Sequence, residues 1–304
     1  MIDIINHTRV NPNNYGRDHT LLICGSALDD RCTTIRDLTL ARINSKVLEV
    51  TFNSDTYSLG VGDKTASLRQ SNSILTQEIL KLDFVNVAID ITSLGFVELL
   101  VILRWFKNSD FAILGAVYGE PKSYKPRADY MSDFGHHEFD LTSHSGGFKA
   151  IPGFSKAISS GTKATLIALL GFERSRLGQL IQLDEGAYIG KVLPIFGTPS
   201  YKVGWDKHCF FQNIETIKNC CGSPNFVSSY SPYDLIETLK YIKECFPEEE
   251  LMIAPFGTKP LSLGAAIFLS NNSDTTLKYD HPIKKQSSSS GVARIHLYEL
   301  TQSE

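Results

Sequence analysis

This chain has few of the features that name a function outright. Its six cysteines, Cys24, Cys32, Cys209, Cys220, Cys221 and Cys245, follow no regular framework. Neither a disulfide scaffold nor two spaced zinc-binding pairs is encoded, and reduced thiols in a cytoplasmic protein are the expectation. Charge of one sign is also missing. The net charge is −3, which gives no argument for wrapping duplex nucleic acid. The longest apolar run, LGFVELLVILRWF, carries a Glu and an Arg and falls short of a bilayer span. The start, MIDIINHTRVNPNNYG, is polar and lacks an apolar signal region, so a soluble chain with no membrane partner is expected. No G-x-S-x-G elbow occurs, and no full G-x-x-x-x-G-K-[ST] phosphate loop. His136, His137 and Glu138 stand together but match no zinc spacing, so no metal is assigned. No motif names a cofactor.

What is present is ordinary globular material, 42% hydrophobic and 21% charged over 304 residues. That length suits two domains of about 150 residues each. Strand-like and helix-like stretches alternate. HTLLICG, SKVLEVTFN, the helical SNSILTQEILKLDF, then VNVAIDITSLGFVELLVILRWF and FAILGAVYGEP follow one another, as in a parallel sheet with crossovers. After Pro121 the chain turns polar and loses its period until about Phe154. Then the series restarts with KATLIALLG, GKVLPIFG, SPYDLIETLKYIKECF, ELMIAPFGTKPLSLGAAIF and TLKYDHP. The tripeptide Lys-Val-Leu begins about twenty residues after Gly25 and again after Gly171. The expected fold is α/β, two Rossmann-like lobes with mostly parallel sheets and an internal duplication. An N-terminal lobe spans 15–126, an interdomain excursion 127–154 and a C-terminal lobe 155–304.

Ligands of open parallel sheets bind beyond the carboxyl ends of the strands, so the loops there are the candidates. In the C-terminal lobe, Gly257 lets backbone approach a ligand, Thr258 caps a helix or binds an oxygen, and Lys259 adds charge at a helix start. Arg174 and Arg176 follow a strand, and guanidinium forks suit phosphate or carboxylate. A pairing with Glu173 or Glu185 is the plainer alternative for them. Lys284 precedes the run QSSSSG, readable as a mobile loop or as a lid closing over an anion. In the N-terminal lobe the loops are acidic and hydroxylic. Asp90 and Glu120 are candidates for sugar contacts or for catalysis, with Thr92 and Ser26 beside them as ligand contacts. For Asp90 and Thr92, helix capping is the plainer reading.

The strand followed by Gly257, Thr258, Lys259 and a helix resembles the Gly-Thr-Lys loop of CARF domains. The two-lobed plan resembles SAVED domains. The resemblance implies sensing of a nucleotide or cyclic oligonucleotide over the strand ends, in a prokaryotic defence or signalling system, with a separate effector or ATPase subunit as partner. Two other readings stay open. One is a nucleotide or NAD glycosidase or phosphohydrolase using Asp90 or Glu120, and the other is a non-catalytic subunit docking on an ATPase or nuclease.

Overall fold

Two of these apolar stretches, Leu21–Cys24 and Ala164–Leu170, are buried at every residue. Continuous burial is expected of strands whose sheet is covered on both faces. The computed structural model describes residues 1–303 apart from 16–19, 42–44, 83, 85, 112, 132–136, 160, 174 and 221–222. The chain divides into two compact units. Unit 1 is Met1–Lys125 together with Lys284–Glu304, and unit 2 is Pro126–Ile283.

Unit 1 contains β1 (Ile2–Val10), β2 (Leu21–Cys24), α1 (Asp30–Leu40), β3 (Lys46–Asn53), β4 (Ser58–Val61), β5 (Lys64–Ser67), α2 (Ser71–Ile79), β6 (Val87–Asp90), α3 (Phe96–Lys107) and β7 (Ile113–Tyr124). Unit 2 contains β8 (Pro126–Met131), β9 (His137–Phe139), β10 (Thr142–Ser145), β11 (Ala164–Leu170), α4 (Ser175–Asp184), β12 (Ile189–Gly197), α5 (Trp205–Cys220), β13 (Asn225–Val227), α6 (Pro232–Cys245), β14 (Leu251–Pro255), α7 (Lys259–Asn271) and β15 (Thr276–Leu277). The short β16 (Pro282–Lys284) follows, and the last strand, β17 (Ser289–Gln302), returns to unit 1.

The eight strands of unit 1 lie in the order β1-β17-β7-β6-β2-β3-β4-β5. Its middle, β3-β2-β6-β7, is parallel. Both flanks are antiparallel: β4 and β5 form a hairpin beside β3, and β17 runs between β7 and β1. This sheet is mixed, where a mostly parallel one was expected. Five strands of unit 2 form one sheet in the order β13-β12-β11-β14-β15, parallel throughout. Both units therefore share a four-strand parallel core in one order: β3-β2-β6-β7 in the first and β12-β11-β14-β15 in the second.

Local chemistry sets the helix starts. Asp29 accepts the Cys32 N–H at the start of α1, and Ser231 accepts the Asp234 N–H at 3.1 Å, with Pro232 in the first position of α6. Each side-chain oxygen satisfies an N–H that a helix start leaves without a backbone partner. Among the described residues no helix is long and apolar enough to cross a membrane.

The expected boundaries at 127 and 155 differ from those the contacts draw. Segment 127–154 belongs to unit 2, and the chain leaves that unit from Lys284 onward. The serine run is not a loose lid. Ser289 opens β17, is 4% exposed, and hydrogen-bonds Arg31 Nε at 2.8 Å and the Asp29 carboxylate. The serines carry no strand signal of their own, and pairing of Ser289 and Ser290 with Tyr124 and Ser123 of β7 supplies it.

Candidate functional site

In the five-stranded sheet of unit 2 the strand order reverses between β11, the first of its strands in the chain, and β14. The loops leaving these two strands are pressed together. A side-chain carbon on Gly171 would lie 2.3 Å from the Phe256 carbonyl oxygen, so only glycine fits. The Gly171 carbonyl accepts from Asn213 Nδ2 at 2.9 Å and from the Cys209 thiol at 3.1 Å. Burial pushes that thiol up to about 12, with Asp206 adding to it, so Cys209 stays protonated as a donor.

Gly257, Thr258 and Lys259 follow directly. Thr258 is the N-cap residue of α7, with extended backbone, and Lys259 is its first helical residue before Pro260. The Thr258 hydroxyl does not bond the helix it precedes. It donates instead to the Ser229 carbonyl at 2.6 Å, where the Tyr201 hydroxyl also donates at 3.0 Å. The Ser229 N–H reaches the Pro199 carbonyl at 3.3 Å. Ser229 thus ties together the loops after β12, β13 and β14. The rim this makes faces the start of a long helix, where N–H groups and the helix dipole favour an anion.

Arg176 is committed elsewhere. Its Nε lies 2.7 Å from Asp280 Oδ2, a second nitrogen bonds Asp280 Oδ1, and a third stands 3.5 Å from Glu173. The guanidinium carbon also sits 4.5 Å above the Phe256 ring. The Arg176 side chain is 11% exposed and that of Asp280 is 1% exposed. Burial would lower the Arg176 pKa, but the Asp280 bonds and charge raise it, so the charge stays. The expected phosphate contact from Arg176 is replaced by a bidentate clamp that packs on Phe256, the residue before the Gly257 turn. Arg174 and His136 lie outside the described residues.

Unit 1 repeats this plan with different chemistry. Gly25 closes β2, and a side-chain carbon there would lie 2.8 Å from the Ser93 carbonyl oxygen. Its N–H donates to Ser93 Oγ at 2.9 Å. Asp90, 1% exposed, accepts the Thr92 N–H at 2.9 Å and the Ser93 hydroxyl at 2.6 Å. Thr92 Oγ1 accepts the Gly119 N–H at 2.9 Å, joining the turn after β6 to the middle of β7. Lys284 donates to the carbonyls of Ser93 and Leu94, each at 3.3 Å, and Ser26 donates to Glu49 at 2.9 Å. The capping alternative does not hold for Asp90 and Thr92: the N-cap of α3 is Gly95, with no side-chain bond, and the two residues instead tie the turn after β6 to itself and to β7.

Glu120 is not at a strand end, because β7 continues through Pro121 to Tyr124. It is 4% exposed and bonds Arg9 at 2.7 Å and His296 at 2.9 Å. His296 Nδ1 in turn lies 3.1 Å from His7 Nε2. Sequence reading missed His7, His296, Asp280 and Ser229. Only Asp280 left a signal, as a carboxylate two residues before Pro282 in a candidate loop. Among the described residues no group of three or more His, Cys, Asp or Glu could hold a metal ion. No protein-family profile matches this chain, and no curated protein matches it either.

Proposed function

We propose that this chain binds a nucleotide-like anionic ligand, a nucleotide or cyclic oligonucleotide, at the strand-order reversal of unit 2. In this reading it is a sensor or regulatory subunit of a prokaryotic defence or signalling system, acting on a separate effector or ATPase protein. Both units are Rossmann-like lobes descended from one duplicated core. The shared four-strand order and the glycine that closes β2 and β11 support that descent.

The observation that carries the proposal is the coincidence of two features. The order β13-β12-β11-β14-β15 reverses beside β14, and the Gly257–Thr258–Lys259 turn leads from β14 into α7. Sheets of this kind bind ligands beyond the strand ends at such a reversal. With its hydroxyl turned to Ser229, Thr258 shapes the turn. Main-chain N–H groups and the Lys259 ammonium supply the recognition, and the Arg176–Asp280 clamp holds the turn in place. A hydrolase using Asp90 or Glu120 fits less well, since both carboxylates are buried and engaged by their neighbours.

The test is a thermal-shift screen with NAD, ATP and cyclic oligonucleotides, with chromatography to detect turnover. A ligand at about 100 times its dissociation constant stabilises the fold by about 2.7 kcal/mol. Lys259→Ala is expected to weaken that ligand by about 1.5–3 kcal/mol, the worth of one charge-assisted hydrogen bond. An unchanged affinity removes the turn from the site. Turnover of the panel favours the hydrolase, and neither shift nor turnover favours a docking subunit.

A further inference from the structure

Strand β5 is the outer edge of the unit 1 sheet, and α2 runs beside it. Lys64, Thr65 and Ala66 of β5 and Ser73, Ile74 and Gln77 of α2 line a groove of about 330 Å³. The hairpin register decides which backbone groups face outward. Val61 pairs with Lys64, Gly60 with Thr65 and Leu59 with Ala66, across a two-residue turn in which Gly62 has φ of 56°. In such a hairpin the residues flanking the turn exchange hydrogen bonds, and every second pair does the same. Lys64 and Ala66 therefore direct N–H and C=O at β4, and those of Thr65 point away from it. No strand among the described residues pairs with that edge. Groups presented in this way are a template for an added strand.

Charge narrows the partner. Lys64 Nζ and Lys81 Nζ both reach Glu78 Oε1, at 3.0 and 2.7 Å. Two ammoniums share one carboxylate oxygen, which leaves a positive charge over at the Lys64 end of the groove. The Lys64 side chain is 52% exposed, and its bond to Glu78 on α2 directs it over the groove. In an added strand, the residue beside Lys64 with its side chain on that face would be its cross-strand neighbour, where opposite charge is favoured. We propose that the β5–α2 groove docks an extended segment of a partner protein, which adds to the Thr65 edge as a strand and sets an acidic side chain against Lys64. The proposal does not depend on the ligand reading of unit 2.

The test uses the whole chain and an acetylated, amidated peptide, Thr-Val-Glu-Val-Thr-Val. Amide-resolved hydrogen exchange should slow at Thr65 when peptide is added and stay unchanged at Lys64 and Ala66. Fluorescence anisotropy of the labelled peptide should show about tenfold weaker binding with Lys64→Ala, and the same loss when the peptide's Glu is replaced by Gln. Thr65→Pro should abolish binding while keeping the hairpin, because the N–H it removes lies outside the β4–β5 ladder. Should that variant disturb the hairpin, the Lys64 and Gln-peptide arms carry the test. Three results would overturn the proposal: no slowing at Thr65 with millimolar peptide, equal binding of the Gln peptide, or slowing at Thr65 without peptide as protein concentration rises, which means self-pairing.

Discussion

The residues that the sequence marks as reactive are mostly those that hold this protein together. Arg176 is the clearest case. Two neighbouring loop arginines read as a phosphate fork because charge and position are visible in a sequence and partners are not. Asp280 lies far along the chain from Arg176, and only the fold brings it within 2.7 Å. A buried pair of this kind adds little net stability, but losing one member strands the other charge. Arg176→Met is therefore expected to destabilise unit 2 by about 3–5 kcal/mol. Adding Asp280→Asn should recover part of that loss, since the double variant removes the fully buried lone carboxylate and leaves only Glu173, 16% exposed, without its arginine. Urea denaturation of both single variants and the double variant measures the coupling. Additive losses would mean that the two side chains act independently. Other residues were legible. Ser231 and Pro232 start a helix as their types require, and Thr258 stands at the N-cap of α7 even though its hydroxyl turns to Ser229.

At the scale of elements, what could be read was what is locally periodic. The buried strands β2, β11 and β14 are apolar almost throughout, β6 is apolar up to its closing Asp90, and α6 carries its apolar face at helical spacing. The strands β1 and β17 escaped notice because their stability comes from pairing between the two ends of the chain. Their shared ladder runs from Ile2 opposite Gln302 to Val10 opposite Ile295. That ladder carries a titratable group. His296 is fully buried, and burial holds its imidazole below the ordinary value, although the Glu120 bond and charge pull the other way and Arg9 and Arg294 oppose protonation. With the Glu120 carboxylate accepting from Nε2–H, Nδ1 is left to accept from His7. A histidine harder to protonate in the fold contributes stability above its unfolded pKa of about 6.5, which is lost as pH falls, because the unfolded chain then binds the extra proton. Unit 1 should weaken between about pH 7 and pH 5. His296→Gln keeps hydrogen-bonding capacity but cannot titrate, so the slope of urea midpoint against pH should flatten in that variant. Equal slopes in the two proteins would clear His296 of the effect.

At the scale of the whole molecule, the decisive feature is where unit 2 enters the chain. Unit 1 is discontinuous in sequence, and the break falls between β7 and β17. These strands are antiparallel neighbours, and Tyr124 is paired directly with Ser289. All of unit 2 therefore stands in the position of a hairpin turn. No sequence period reports such an insertion, because the returning strand lies far from its partner along the chain, and this is why one lobe was expected to run to the C-terminus. The ends of an insert of this kind are close in space, the condition under which a domain can be removed without disturbing its host. Replacing residues 126–287 by Asn-Gly leaves Lys125, whose N–H bonds the Ser288 carbonyl, and Ser288 flanking the turn, and should close β7 onto β17 with the two-residue turn that hairpins favour. The resulting chain is expected to fold cooperatively, with the mixed sheet intact by circular dichroism and a single urea transition. Residues 1–125 alone should not, since they lack the strand between β1 and β7. If the joined chain stays unfolded while the separate fragment 126–283 folds, unit 1 depends on unit 2 for more than chain connectivity, and the insertion reading fails.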